Sequence, residues 1–142
     1  MKHLTTTSSQ TEILGKKFVM SLKQGGVFGL VGELGAGKTS FVKGVAKGLG
    51  IKTRVTSPTF VLMRVYETNS KNIKRLVHVD AYRIKKATNL SGIGLEDYIV
   101  DDKTLVLIEW ADKVGGLVKS NSHVINFSHT KTGRAINFFS DF

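Results

Sequence analysis

Apolar residues in this chain come mostly in short runs of four or five, and in two places they recur instead at helical spacing. Between residues 12 and 23, Ile13, Leu14, Phe18 and Leu22 return every three or four positions and share one face of a predicted helix. Ser9-Gln10-Thr11-Glu12 has the form of a capping box for it, Ser9 accepting from the third helical N–H and Glu12 reaching back, and Gln24-Gly25-Gly26 ends it. Val27-Phe28-Gly29-Leu30-Val31 reads as a buried strand. A second helix, from Ser40 to about Leu49, carries Phe41, Val42, Val45, Ala46 and Leu49 on its apolar stripe, with Lys43 and Lys47 pointing away. Gly44 and Gly48 each cost that helix about 1 kcal/mol relative to Ala, and close packing against a sheet is the expected compensation.

Further strands are predicted at Thr59–Tyr66, Arg75–Asp80 and Leu105–Ile108, the last running into Glu109-Trp110. Glu67–Asn72 reads as a polar turn and Ile93–Val100 as a short helix. His123–Phe127 and Ala135–Phe139 form a final antiparallel pair around a turn at Lys131-Thr132-Gly133.

Between the first strand and the second helix lies Gly32-Glu33-Leu34-Gly35-Ala36-Gly37-Lys38-Thr39, the G-x-x-x-x-G-K-[ST] phosphate-binding loop, followed by Ser40. Strand, glycine loop and helix is the geometry a phosphate cradle needs. Glycines let backbone N–H groups approach phosphate oxygens without a Cβ in the way. Lys38 is expected at the β- and γ-phosphates and the Thr39 hydroxyl on Mg2+. The whole pattern predicts an α/β fold: a P-loop NTPase-like three-layer sandwich with a mixed, mostly parallel central sheet and antiparallel C-terminal strands.

Length and composition narrow the class. The 142 residues read as one domain, a single P-loop domain over 1–142. No apolar run approaches the ~18–20 residues of a membrane span, and Met1–Gln10 has no apolar signal-peptide core. Cysteine is absent, which excludes disulfides and thiolate metal sites and fits a cytoplasmic location. The net charge of +10 is unevenly placed. Through Arg75 there are 13 Lys/Arg against 3 Asp/Glu, and from Leu76 onward 8 of each. A solvated basic surface and a polyanionic partner such as RNA both account for that half.

Phosphoryl transfer needs an acid near the metal, and two stand at strand ends. Asp80 follows Leu76–Val79 in the manner of a Walker B strand, and Glu109 follows Leu105–Ile108 in the same way. Either can hold Mg2+ or its waters, or orient an attacking water; spacing leaves the choice open. Thr56-Ser57-Pro58-Thr59 places three hydroxyls around the only proline, where NTPases carry a segment that senses the γ-phosphate. His78 shares a strand face with Asp80. Trp110, the only tryptophan, suits base stacking, a partner surface or the core equally, and Arg134 lies just past a turn within possible reach of a phosphate.

The order and spacing of these segments resemble the TsaE (YjeE) family from about residue 8 to Gly133-Arg134. The resemblance rests on the phosphate loop, Thr56-Ser57-Pro58-Thr59-Phe60, His78-x-Asp80-x-Tyr82-Arg83, Gly94-Leu95-Glu96-Asp97-Tyr98 and Ile108-Glu109-Trp110. Glu33 stands where the family usually has Asp, and Gly116-Leu117-Val118-Lys119 lacks a proline common there. What the resemblance implies is a bacterial ATPase required for threonylcarbamoyladenosine at position 37 of tRNA. It would act with the TsaB and TsaD proteins rather than perform the transfer itself, and contact tRNA directly or through them. It also implies phosphate contacts from Leu34 to Thr39, Mg2+ ligation by Thr39 and Glu109 with Asp80 beside them, and ATP contacts from Arg134 and Ser8. Thr56, Ser57, Thr59, His78, Tyr82, Arg83 and Trp110 are then candidates for a switch or partner surface.

Two other functions fit the loop. A small-molecule kinase would replace water by an acceptor hydroxyl, but only about 25 residues separate Asp80 from the strand that starts at Leu105, little room for a substrate-binding insertion and lid. A nucleotide-dependent binding switch would need the loop without a positioned water. A GTPase is disfavoured, because Ala111-Asp112-Lys113 is not a base-reading Asn-Lys-x-Asp motif.

Overall fold

The computed structural model describes residues 1–55, 63–82, 94–99, 101–114 and 123–138. In chain order the elements are β1 (Lys2–Thr5), α1 (Ser8–Ser21), β2 (Gly26–Val31), α2 (Lys38–Gly48), β3 (Met63–Glu67), β4 (Arg75–Asp80), α3 (Glu96–Ile99), β5 (Thr104–Glu109), a 3-10 turn (Ala111–Val114), β6 (His123–His129) and β7 (Arg134–Phe138). One seven-stranded sheet takes the order β1-β7-β6-β2-β5-β4-β3. Strands β4, β5, β2 and β6 are mutually parallel, and β3, β7 and β1 pair antiparallel at the flanks. The mixed sheet and the antiparallel β6–β7 pair are as the sequence predicts. Among the described residues no helix is long and apolar enough to cross a membrane.

Strand alternation sorts side chains onto two faces. On β5, Leu105 and Leu107 join the core beneath α1 and α2, and Val106 and Ile108 point to the opposite core beside α3 and the 3-10 turn. On β4, Leu76 lies in the first core and Val77 and Val79 in the second. The parity of His78, Asp80 and Glu109 matches Leu76, Leu105 and Leu107, so all three acquire the α2 side of the sheet.

Three expectations are corrected in the helical layer. The first helix begins at Ser8, four residues earlier than the pattern suggested, and its N-cap is Thr7, whose side chain accepts from the Gln10 N–H. Gln10 Oε1 in turn accepts from the Thr6 N–H at 2.7 Å, so a Thr-x-x-Gln arrangement does the work assigned to Ser9 and Glu12. Glu12 instead pairs with Lys47 on α2. Ile13 is exposed, and the buried stripe is Thr11, Leu14, Gly15, Phe18 and Val19. Gly44 and Gly48 face α1 rather than the sheet. A Cβ on Gly44 would overlap the Glu12 carbonyl, one on Gly15 the Phe41 carbonyl, and one on Gly48 would crowd Val19.

Strand β1 has no counterpart in the sequence reading, because four residues with one exposed leucine give no usable pattern. Its partner β7 supplies the backbone ladder that makes it a strand. The predicted strand over 59–66 is described from Met63 to Glu67, and its first four positions lie outside the described residues. The helix predicted over 93–100 is described as Glu96–Ile99. Phe139 and the 116–119 connection also lie outside the described residues.

Candidate functional site

Four parallel strands bring their C-terminal ends to one edge of the sheet, and most candidate residues collect there. β2 feeds the phosphate loop, β4 ends in Asp80, β5 ends in Glu109 and β6 ends in His129. β7 runs the other way, so its first residue, Arg134, lies at the same edge. β1 is antiparallel to β7 and pairs Thr5 with Arg134, which delivers Ser8 and the start of α1 there as well. Residues up to 126 positions apart meet because strand direction leaves them no other end to occupy.

The loop itself has the strained glycine geometry its motif requires. Gly35 and Gly37 have φ of +76° and +104°, left-handed values that a side chain resists. A Cβ at Gly37 would also lie 3.0 Å from the Arg134 side chain. Gly37 is the N-cap of α2, so the first N–H groups of that helix, at Lys38 and Thr39, lead from the loop. Leu34 is 79% exposed at the loop's crest, and its carbonyl lies 3.2 Å from His129 Nε2.

Lys38 is buried, and its ammonium donates to the carbonyls of Gly32 (2.5 Å) and Glu33 (2.9 Å). The same nitrogen stands 4.1 Å from the centroid of the Trp110 ring, a cation–π contact. Burial holds the Lys38 ammonium below its usual range, against the opposing pull of Glu109, Asp112 and Asp80. Trp110 has φ of +59°, the one left-handed non-glycine among the described residues. Such a backbone costs a bulky residue on the order of 1–3 kcal/mol and is found where a site demands it. Its ring also meets Tyr82 at 5.0 Å.

Of the two strand-end acids, Glu109 is the one that reaches the loop. It is 3% exposed, and its Oε1 accepts from Thr39 Oγ1 at 3.0 Å. Its Oε2 lies 2.5 Å from Nε2 of the fully buried His78. The placement follows from sheet order, since β5 adjoins both β2 and β4 and Glu109 registers with Leu30 on one side and Asp80 on the other. Asp80 is half-buried, and its Oδ1 accepts from the Tyr82 N–H at 2.9 Å. Desolvation pushes the Asp80 carboxyl up, the Tyr82 hydrogen bond counters this, and the neighbouring Glu109 charge adds to the rise.

A cleft of about 310 Å³ opens at this edge, lined by Leu34, Gly35, Gly37, Lys38, Thr39, Ser40, Asp80, Tyr82, Glu109, Trp110 and Arg134. Arg134 Nη1 comes within 3.5 Å of both Ser8 Oγ and Thr11 Oγ1. Thr11 and His129 were not found from sequence, and neither carries a motif or spacing that could have found them. Thr56, Ser57, Thr59 and Arg83 lie outside the described residues.

The donor set can be tested against a cation. Thr39 Oγ1, Glu109 Oε1 and the Asp80 carboxylate are all hard oxygens, suited to Mg2+ and not to a soft metal. No group of three or more His, Asp or Glu among the described residues could hold a metal unaided. Mg2+ needs none, since it commonly takes one or two protein oxygens and completes its shell with phosphates and water.

The family model described as threonylcarbamoyl adenosine biosynthesis protein TsaE matches residues 5–136. The chain is 37% identical over 111 residues to the Bacillus subtilis protein named tRNA threonylcarbamoyladenosine biosynthesis protein TsaE, covering 78% of this chain and 66% of that one. It is 37% identical over 114 residues to the protein of that name from Treponema pallidum, covering 80% and 81% of the two chains. The match thus spans just under two thirds of the Bacillus relative's length. Among solved structures, Bacillus subtilis YdiB superposes with a TM-score of 0.76 at 31% identity, covering 97% of this chain and 83% of that one. With the family model running from β1 into β7, and the phosphate loop, Glu109 and Arg134 all inside the matched stretch, the chain belongs to the TsaE family.

Proposed function

We propose that this protein binds and hydrolyses Mg2+-ATP at the β2–α2 loop, in support of threonylcarbamoyladenosine formation on tRNA by partner proteins. The observation that carries the reading is the contact between Thr39 Oγ1 and Glu109 Oε1. A phosphate loop needs only glycines and a lysine to bind nucleotide, whereas a buried carboxylate aimed at the loop hydroxyl supports cation-dependent hydrolysis.

The chain's residues divide the work. The N–H groups of residues 34–39 would hold the phosphates, with the positive end of α2 behind them. Lys38 would leave the Gly32 and Glu33 carbonyls for the β- and γ-phosphates. Thr39 and Glu109 would hold Mg2+, with Asp80 beside them ordering water. When bound, Mg2+ supplies charge compensation on the phosphates. Arg134, which lines the cleft beside Gly37, and Ser8 next to it would contact nucleotide. Asp80, Glu109 and Lys38 would serve as the catalytic set for attack of water on the γ-phosphate. Turnover is expected to be slow until partners bind.

The test is phosphate release from ATP measured alone, with the TsaB–TsaD pair, and with that pair plus tRNA. Stimulation by the pair supports the reading. Absence of both complex formation and stimulation overturns the partner assignment, and transfer of phosphate to a small acceptor would favour a kinase.

A further inference from the structure

His78 is fully buried, yet it is a polar residue set among Leu76, Val77 and Val79 along its strand. Its neighbours in register are Leu107 on β5 and Arg64 on β3. Its Nδ1 is buried and has no hydrogen-bond partner among the described residues. Packing alone would be served at least as well by leucine, which fills similar space and orphans no nitrogen. What the imidazole adds is its Nε2 contact with Glu109. Because a carboxylate accepts only, an ionised Glu109 requires Nε2 to carry the proton and donate it. This fixes the tautomer and leaves Nδ1 without a proton, in keeping with its having no acceptor partner among the described residues.

Glu109 is therefore held at both oxygens, Oε2 by His78 from below and Oε1 by Thr39 from the loop. Without the lower contact a buried carboxylate would be short of a partner and free to turn away from the loop. We propose that His78 is a positioning residue, whose Nε2–H holds the Glu109 carboxylate in the rotamer that presents Oε1 to Thr39. This rests on the reading of Thr39 and Glu109 as the Mg2+ pair. A partner that orients a metal-binding side chain typically changes metal affinity or activity by about 10- to 100-fold when removed.

The experiment compares wild type with His78→Leu, His78→Gln and His78→Asn. Binding of the non-hydrolysable analogue AMP-PNP is measured by calorimetry with Mg2+ and with EDTA, and the Mg2+ requirement of phosphate release is titrated. Folding of each variant is checked by its thermal melt. His78→Leu and His78→Asn are expected to raise the Mg2+ needed for half-maximal release by about 10- to 100-fold and to weaken Mg2+–AMP-PNP binding. Binding in EDTA should not change. His78→Gln, whose amide nitrogen reaches the Nε2 position, should restore most of the loss. In a Glu109→Gln background His78→Leu should add no further loss, a comparison that still decides if His78→Leu alone is too unstable to assay.

Equal weakening with and without Mg2+, or a folded His78→Leu with an unchanged Mg2+ requirement, overturns the proposal and leaves His78 as core packing. Wild-type protein whose binding and hydrolysis are indifferent to Mg2+ overturns the cation reading itself. That result is distinguishable because it needs no variant.

Discussion

Gly44→Ala should destabilise the protein, although helix propensity alone predicts the reverse. In an unencumbered helix the change gains about 1 kcal/mol. Here a Cβ would lie 2.6 and 2.7 Å from the carbonyl carbon and Cα of Glu12, with the Glu12 oxygen nearer still. Carbon atoms pack at about 3.5–4.0 Å, so α1 must move off α2 by about 1 Å. The obstacle is backbone, so no rotamer change relieves it. Overpacking costs about 1–3 kcal/mol, and a backbone clash belongs at the upper end, leaving a net loss of about 2 kcal/mol after the propensity gain. For a chain of this size, about 3–4 °C of melting temperature per kcal/mol gives a fall of about 6–8 °C. Thermal melts of Gly44→Ala should show it, with Lys43→Ala on the same helix as the control. A rise in melting temperature for Gly44→Ala would refute the close α1–α2 contact, and with it the explanation of why this helix tolerates two interior glycines.

Two further outcomes follow from the site and from the sheet edge. The only tryptophan lies 4.1 Å from the Lys38 ammonium, so drawing Lys38 onto phosphates should alter its emission; titration with Mg2+-ATP should change the fluorescence of wild type but not of Lys38→Ala, and a silent wild type at saturation contradicts the expected movement. His3 is held below its ordinary value of 6.5 by partial burial first, then by the terminal amine and Lys17. The unfolded chain therefore takes up the proton first, and stability is lost as pH falls from about 6.5 toward the folded value. His3→Gln should remove that loss, so the variant's melting temperature should gain on that of wild type between pH 7.5 and pH 5.5; an unchanged difference would contradict the shift.

The phosphate loop, its strand and its helix were legible because a local motif and local periodicity encode them. The two strand-end acids were legible as a pair, but which one meets the loop was not. That depends on β5 rather than β4 lying beside β2, a fact of strand order that no local pattern carries. The glycines of α2 were noticed and given the wrong partner, because sequence reveals that something approaches closely but not what. The helix cap was misplaced by two residues because 5–9 hold five consecutive Ser or Thr residues, any of which could cap. His129 and Thr11 reach the site only through topology, and β1 exists only because β7 offers it a ladder.

Glu109 is proposed to serve hydrolysis and not nucleotide binding as such. Glu109→Gln keeps the shape of the side chain and removes its charge, so one preparation assayed twice decides the matter. ATP binding measured in EDTA should match wild type, while Mg2+-dependent phosphate release with the partner proteins should fall by about 100-fold or more, the range for loss of a group that acts on the reacting centre. Phosphate release that persists at the wild-type rate in Glu109→Gln would contradict the claim.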